Sequence, residues 1–150
     1  MTLHKQSGFS LIEVLIAVLI LGVGLLGAAA IQINALKYTD SSTMTSQASF
    51  IAYDMLDRIR ANPDGSYALA SLAGAPTAQA YTAPRDQDWY DFATNIKAFA
   101  GATGAGSITV ANRVVTILIT WDDKRAMNST ATSLRSFSLT SRVAVDTVTK

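Results

Sequence analysis

An α+β fold, with one long N-terminal helix packed on a small antiparallel sheet, is what this sequence predicts. Three observations lead there. A long apolar run near the N-terminus contains no proline, and the chain continues without a helix breaker to Pro63. Between Met44 and Ile59, apolar residues recur at spacings of three and four, the period of one helix face. After Gly106, apolar and polar side chains alternate as they do in strands with one buried face. At 150 residues the chain is sized for one domain with a modest core.

From Val14 to Ile31 no side chain is charged or hydrogen-bonding. That stretch of about 18 residues is near the minimum for crossing a bilayer. Phe9, Leu11 and Ile12 extend it upstream and Ile33 downstream. Ala28-Ala29-Ala30 has the small residues of a signal-peptide cleavage site. Against that reading, the run exceeds a signal core in length, and Glu13 lies inside its leading edge. A carboxylate at the centre of a membrane helix costs roughly 2.5–3.5 kcal/mol, and such residues are usually functional. Near the interface the cost shrinks, because a helix N-terminus favours negative charge. Gly22, Gly24 and Gly27 suit close helix approach in a membrane; a locally weak stretch that extends during assembly is the other reading.

Lys5-Gln6-Ser7-Gly8-Phe9-Ser10-Leu11-Ile12-Glu13 resembles the processing site of type IV pilins and of the pseudopilins of type II secretion. In that superfamily a short basic leader ends in Gly, Phe follows, and a Glu stands four residues further on at the head of an apolar helix. The resemblance implies the type IV pilin fold, cleavage between Gly8 and Phe9 by prepilin peptidase, and N-methylation of Phe9. It also implies that Glu13 faces the N-terminal amine of a neighbouring subunit. A buried carboxylate and a buried amine each need a partner, so the pairing is physically sound. Alanine stands at position 30, where major pilins often carry proline, which argues against a built-in kink. The expected partners are prepilin peptidase, other minor and major pilins through their N-terminal helices, and the inner membrane before assembly. Lys5 and a large C-terminal domain favour a cytoplasmic N-terminus and a periplasmic head; after assembly the location would be a cell-surface pilus.

Composition removes several chemistries. Twelve basic against eleven acidic residues leave no electrostatic footprint for nucleic acid. There is no cysteine, hence no disulfide, thiol nucleophile or cysteine-ligated metal. The one histidine, His4, precedes the apolar run, so the folded part has no histidine for acid–base catalysis. No catalytic residue, cofactor, metal or small-molecule substrate is predicted, and the protein is read as a non-enzyme.

Met44, Ala48, Ile51, Met55 and Ile59, widened by Ala52 and Leu56, mark the core face of the helix beyond the membrane run. Asp54, Asp57, Arg58 and Arg60 fall to solvent or assembly contacts. Asn62-Pro63-Asp64-Gly65 ends the helix. Residues 66–85 read as a surface connection with a turn of helix near Tyr67–Leu72. A short helix then starts with Asp86 or Asp88 as cap, packs Trp89, Phe92, Ile96 and Phe99 into the core, and stops at Gly101. The glycine-rich stretch from Gly101 to Gly106 has no lysine after it and reads as a flexible turn, not a phosphate loop. Ile108 and Val110 precede a turn at Asn112-Arg113; Val115, Ile117, Ile119 and Trp121 share one face of the next strand; Phe137, Leu139, Val143 and Val145 share one face of a third. Asp122 and Asp123 read as a solvated turn or a pair able to hold a cation, without a third carboxylate at ligand spacing.

The organisation predicted is a leader at 1–8, a transmembrane and filament-core helix at 9–33, its amphipathic continuation at 34–61, and a globular head at 62–150. Within the head fall a helix at 88–100 and strands at 107–111, 114–121 and 134–145. Ala52-Tyr53-Asp54-Met55-Leu56-Asp57-Arg58-Ile59-Arg60-Ala61-Asn62 is similar to the end of the long helix in the minor pilin family PilV, the type IV pilus modification proteins. Trp89 and Ile117-Leu118-Ile119-Thr120-Trp121-Asp122 are similar too. This likeness implies a minor pilin that helps initiate pilus assembly and sits at the tip with other minor pilins. An I-type minor pseudopilin of type II secretion and a DNA-uptake pseudopilin share many of these features. An anchored periplasmic domain with its own activity is the reading from a different class.

Overall fold

The computed structural model describes residues 8–79, 82–124 and 133–143. Leader residues 1–7 and Val145 lie outside them. The chain divides into two compact units, Met1–Tyr38 and Thr39–Lys150. Helix α1, Leu11–Ala61, contributes residues to both.

In the first unit α1 begins at Leu11, two residues later than Phe9. The Ser10 carbonyl accepts the amide N–H groups of Glu13 (3.0 Å) and Val14 (3.3 Å), which makes Ser10 the cap. Serine is favoured there because its side chain satisfies the orphan amides of a first turn. Every side chain from Leu11 to Ile33 is exposed, and the helix is long and apolar enough to cross a membrane. A Cβ added at Gly22, Gly24 or Gly27 would meet nothing within 4 Å, so no contact within the chain explains these glycines.

The second unit is built on a three-stranded antiparallel sheet in the order β1-β2-β3, with β1 at Ala105–Ala111, β2 at Val114–Asp122 and β3 at Leu134–Arg142. Its register sets Ile108 against Ile117, and Ile117 against Leu139. Asn112 and Arg113 join β1 to β2 with φ of 50° and 64°, the left-handed pair that a two-residue type I′ turn requires. Ala48, Ala52, Met55, Leu56 and Ile59 of α1 are buried in one core with Ile108, Val115, Ile117, Ile119 and Trp121. Met44 and Ile51 flank that stripe and stay half-buried. Two fully buried alanines, Ala48 and Ala52, sit at its centre. Burial of each larger side chain contributes about 1.5–3 kcal/mol.

Helix α2, Pro84–Ala100, adds Phe92, Ala93 and Ile96 to this core. It starts earlier than an Asp86 or Asp88 cap would place it. Pro84 occupies the first turn, where its fixed φ is already helical and its missing N–H costs nothing, and Ala83 is the cap residue. Trp89 is half-buried rather than fully in the core.

Three other expectations are corrected. Residues 66–79 are a surface connection only in part: most are exposed, but Tyr67, Leu69, Leu72 and Ala75 are buried. Leu69 exchanges two backbone hydrogen bonds of 2.8 Å with Ile108, so an extended segment stands where a turn of helix was expected, followed by a 3₁₀ turn at Leu72–Gly74. The glycine-rich stretch is not a loose turn either. Gly101 (φ 65°) caps α2, a 3₁₀ turn covers Gly101–Thr103, and β1 starts at Ala105, taking in a buried Gly106.

Candidate assembly surface

Gly8, Phe9 and Glu13 are all exposed, Phe9 by 84%. Phe9, two residues ahead of α1, and Glu13, in its first turn, both line an open groove with Val14, Ala17, Val18 and Leu21. The groove's walls are apolar apart from the Glu13 carboxylate. Glu13 lies in the first turn of α1, where unpaired amides and the helix dipole favour a negative charge. An incoming cation therefore meets a carboxylate at one end of an apolar slot. Hydrocarbon would cover the rest of the slot well.

The second unit holds its charges differently. The Arg58 guanidinium donates to Asp54 (3.0 Å), Asp88 (3.0 Å) and Asp91 (2.8 Å), so it ties α1 to α2 while staying partly open to solvent. Burial alone would lower its pKa, but the hydrogen bonds to Asp88 and Asp91 and the charge of Asp54 outweigh that and raise it. Tyr67 donates its hydroxyl to Asp88 at 2.7 Å; burial first, and this bond second, push its pKa up. Arg85 stacks 4.5 Å from the Trp89 ring centroid and pairs with Asp86. Arg60 reaches Asp57 and the Ser141 hydroxyl, each at 3.0 Å.

Asp122 and Asp123 are neither a solvated turn nor a cation pair. Asp123 is 2% exposed and is held by Ser41 and Arg135. Asp122 ends β2, accepts from the Ser133 hydroxyl and pairs with Lys124 at 2.8 Å; Lys124 first, then Ser133, hold its pKa below the usual carboxylate value. Among the described residues no group of three His, Cys, Asp or Glu could hold a metal ion. The polar contacts of the second unit fasten its elements together. Sequence reasoning missed the Arg58 and Asp123 hubs, because nothing in local spacing shows which carboxylates a distant element will bring.

Residues 3–29 match the family model of the prokaryotic N-terminal methylation motif. Gly8, Phe9 and Glu13 all fall inside the matched span, and the second unit lies wholly outside it. Comparison with curated proteins and with solved structures gave no match. The motif supports a type IV pilin-like or pseudopilin chain. Prepilin peptidase processing and pilin–pilin assembly are its general implications. With the exposed apolar helix, it supports membrane anchoring. The α+β arrangement of a long apolar N-terminal helix and a small antiparallel sheet is consistent with a pilin fold.

Proposed function

We propose that this chain is a minor pilin that helps initiate assembly of a type IV pilus and enters it, at the tip, beside other minor pilins. One observation carries the pilin-like part of the reading: a methylation motif runs into an apolar helix whose first turn presents Glu13 in an exposed groove beside Phe9. In this reading the leader is removed between Gly8 and Phe9, and the new amine of Phe9 is methylated. The protomer waits in the inner membrane with its head in the periplasm, and Glu13 pairs with the Phe9 amine of a neighbour. The step balances: hydrolysis of the Gly8–Phe9 amide leaves a carboxylate on the leader and a protonated amine on Phe9. The charge Glu13 needs is thus created by processing.

The minor-pilin assignment rests on the PilV-like residues Ala52 to Asn62 and on the absence of cysteine, since major pilins often close a C-terminal loop by a disulfide. Mass spectrometry of the mature N-terminus tests the processing: methyl-Phe9 supports it, and intact Met1 overturns it. A deletion strain tests the role. Fewer pili and weaker twitching are expected, and unchanged pilus number and motility would refute initiation. The same motif serves pseudopilins, so copurification with secretion components in place of pilus components would move the chain to that class.

A further inference from the structure

The sheet has two edges, and they are treated differently. Leu69 covers part of the β1 edge through its paired bonds with Ile108. The outer edge of β3 has no strand partner among the described residues. Natural edge strands are usually short or interrupted by proline, lysine or a bulge, since a bare row of N–H and C=O groups recruits other strands. β3 carries charge near its two ends, at Arg135 and Arg142, but no proline, lysine or bulge: it runs nine residues, pairs with β2 without a break from Arg142 to Leu134, and contains no Gly. Arg135 does not shield the edge either, because its side chain is turned to Asp123 at 3.1 Å.

The residues of β3 also complement themselves. In the one antiparallel register that pairs all nine residues with a second copy, Ser138 meets Ser138. Phe137 then lies opposite Leu139 on the core face, and Arg135 opposite Ser141. On the other face Ser136 meets Thr140, and Leu134 meets Arg142. Within β3 itself no two charges face each other, whereas like charges directly opposite would destabilise the pair; Arg60, which reaches Ser141 from α1, and Arg135 opposite it are each paired with an acid, Asp57 and Asp123. Phe137 and Leu139 are only half-buried here, so apolar area remains for a partner to cover.

We propose that β3 pairs with the β3 of a second copy of this chain, antiparallel, about a two-fold axis at Ser138. The two sheets join into one of six strands. Such an isologous contact is closed, so it makes a dimer and cannot propagate into a fibre. It needs only the head.

The absence of cysteine makes the test direct. Ser138→Cys places one thiol on the axis, and Thr109→Cys places one on the same sheet face of β1, away from the edge. Both full-length variants are treated in detergent with a short bis-maleimide. Ser138→Cys is expected to form covalent dimer at least about tenfold faster than Thr109→Cys, since a docked pair reacts at an effective concentration in the mM range. Adding Leu134→Arg, at an exposed position, sets a guanidinium against Arg142 and should return the rate to the control level without changing the circular dichroism spectrum. Equal rates for the two thiols would overturn the proposal. So would dimer formation that appears only after residues 144–150 are removed, which would assign the edge to the chain's own C-terminal segment, or capture in cells of a different subunit in place of a second copy.

Discussion

The Ser41 hydroxyl donates to the Asp123 carboxylate at 2.5 Å, joining α1 to the end of β2 across 82 positions of sequence. Arg135 of β3 takes the same carboxylate oxygen at 3.1 Å, and the Asp123 amide donates to the Ser133 carbonyl at 2.8 Å. One buried acid therefore holds a helix, a strand end and the chain re-entering β3. Removing a donor to a buried charge costs about 1–3 kcal/mol. Ser41→Ala should lower stability by that amount in chemical denaturation of the full chain in detergent. Asp123→Asn keeps an acceptor for Ser41 but loses the charge that holds Arg135. It is expected to destabilise as well, and a midpoint unchanged by both substitutions would contradict the clasp.

Arg58 does the equivalent work between α1 and α2. With Arg58 replaced by Leu, Asp54, Asp88 and Asp91 lose their shared cation and repel one another. A fully buried pair broken in this way costs 3–5 kcal/mol. About a third of the Arg58 side chain is open to solvent, so a loss of about 2–3 kcal/mol is expected. Salt should recover part of it by screening the three acids. Arg58→Lys should fall between wild type and Leu, because an ammonium supplies charge but not the fork that spans Asp54 and Asp88. Denaturation at low and high ionic strength checks both points.

These two hubs mark where the sequence stopped being legible. The α+β class, the core stripe Ala48–Ile59 and the strand faces could be read, because periodicities of 3.6 and 2 are local properties and the membrane-length run dominates its neighbourhood. The methylation motif around Gly8, Phe9 and Glu13 could be read because it is contiguous. Hidden were relationships between elements: Arg58 with Asp88 and Asp91, Ser41 with Asp123, and Leu69 with Ile108. The stretch 66–79 looked like surface because it is rich in small and hydroxylated residues, yet Tyr67, Leu69 and Leu72 within it reach the core. Composition averaged over a segment conceals which few positions turn inward.

Tyr67 should set an alkaline limit on stability. Burial and the bond to Asp88 favour its neutral phenol, so its folded pKa lies above the ordinary value of about 10. For an acid whose pKa is raised by folding, the stabilising contribution is complete below the unfolded pKa and is lost as pH rises through the folded one. Stability is therefore expected to hold up to about pH 10 and to decline above it. Tyr67→Phe should flatten that decline at some cost at neutral pH, since Asp88 loses a donor. Absorbance titration near the phenolate band provides a second readout, with a late-ionising component that Tyr67→Phe removes.

Gly106 of β1 packs directly under Ile96 and Phe92 of α2. A Cβ built there would stand 2.7 Å from Ile96 Cδ1 and 3.1 Å from both Leu72 and Phe92. Three buried side chains from two elements would have to retreat together, so no single rotamer change relieves the clash. Overpacking of this kind costs about 1–3 kcal/mol. Gly106→Ala is expected to destabilise by that much, although alanine ordinarily suits a strand at least as well as glycine does. Ile96→Val in the same chain removes the methyl group that makes the closest approach, and should recover part of the loss despite being destabilising alone. That sign reversal in a double-mutant cycle separates steric conflict from a backbone effect at Gly106. If the two losses simply add, the α2–β1 contact is not what requires glycine.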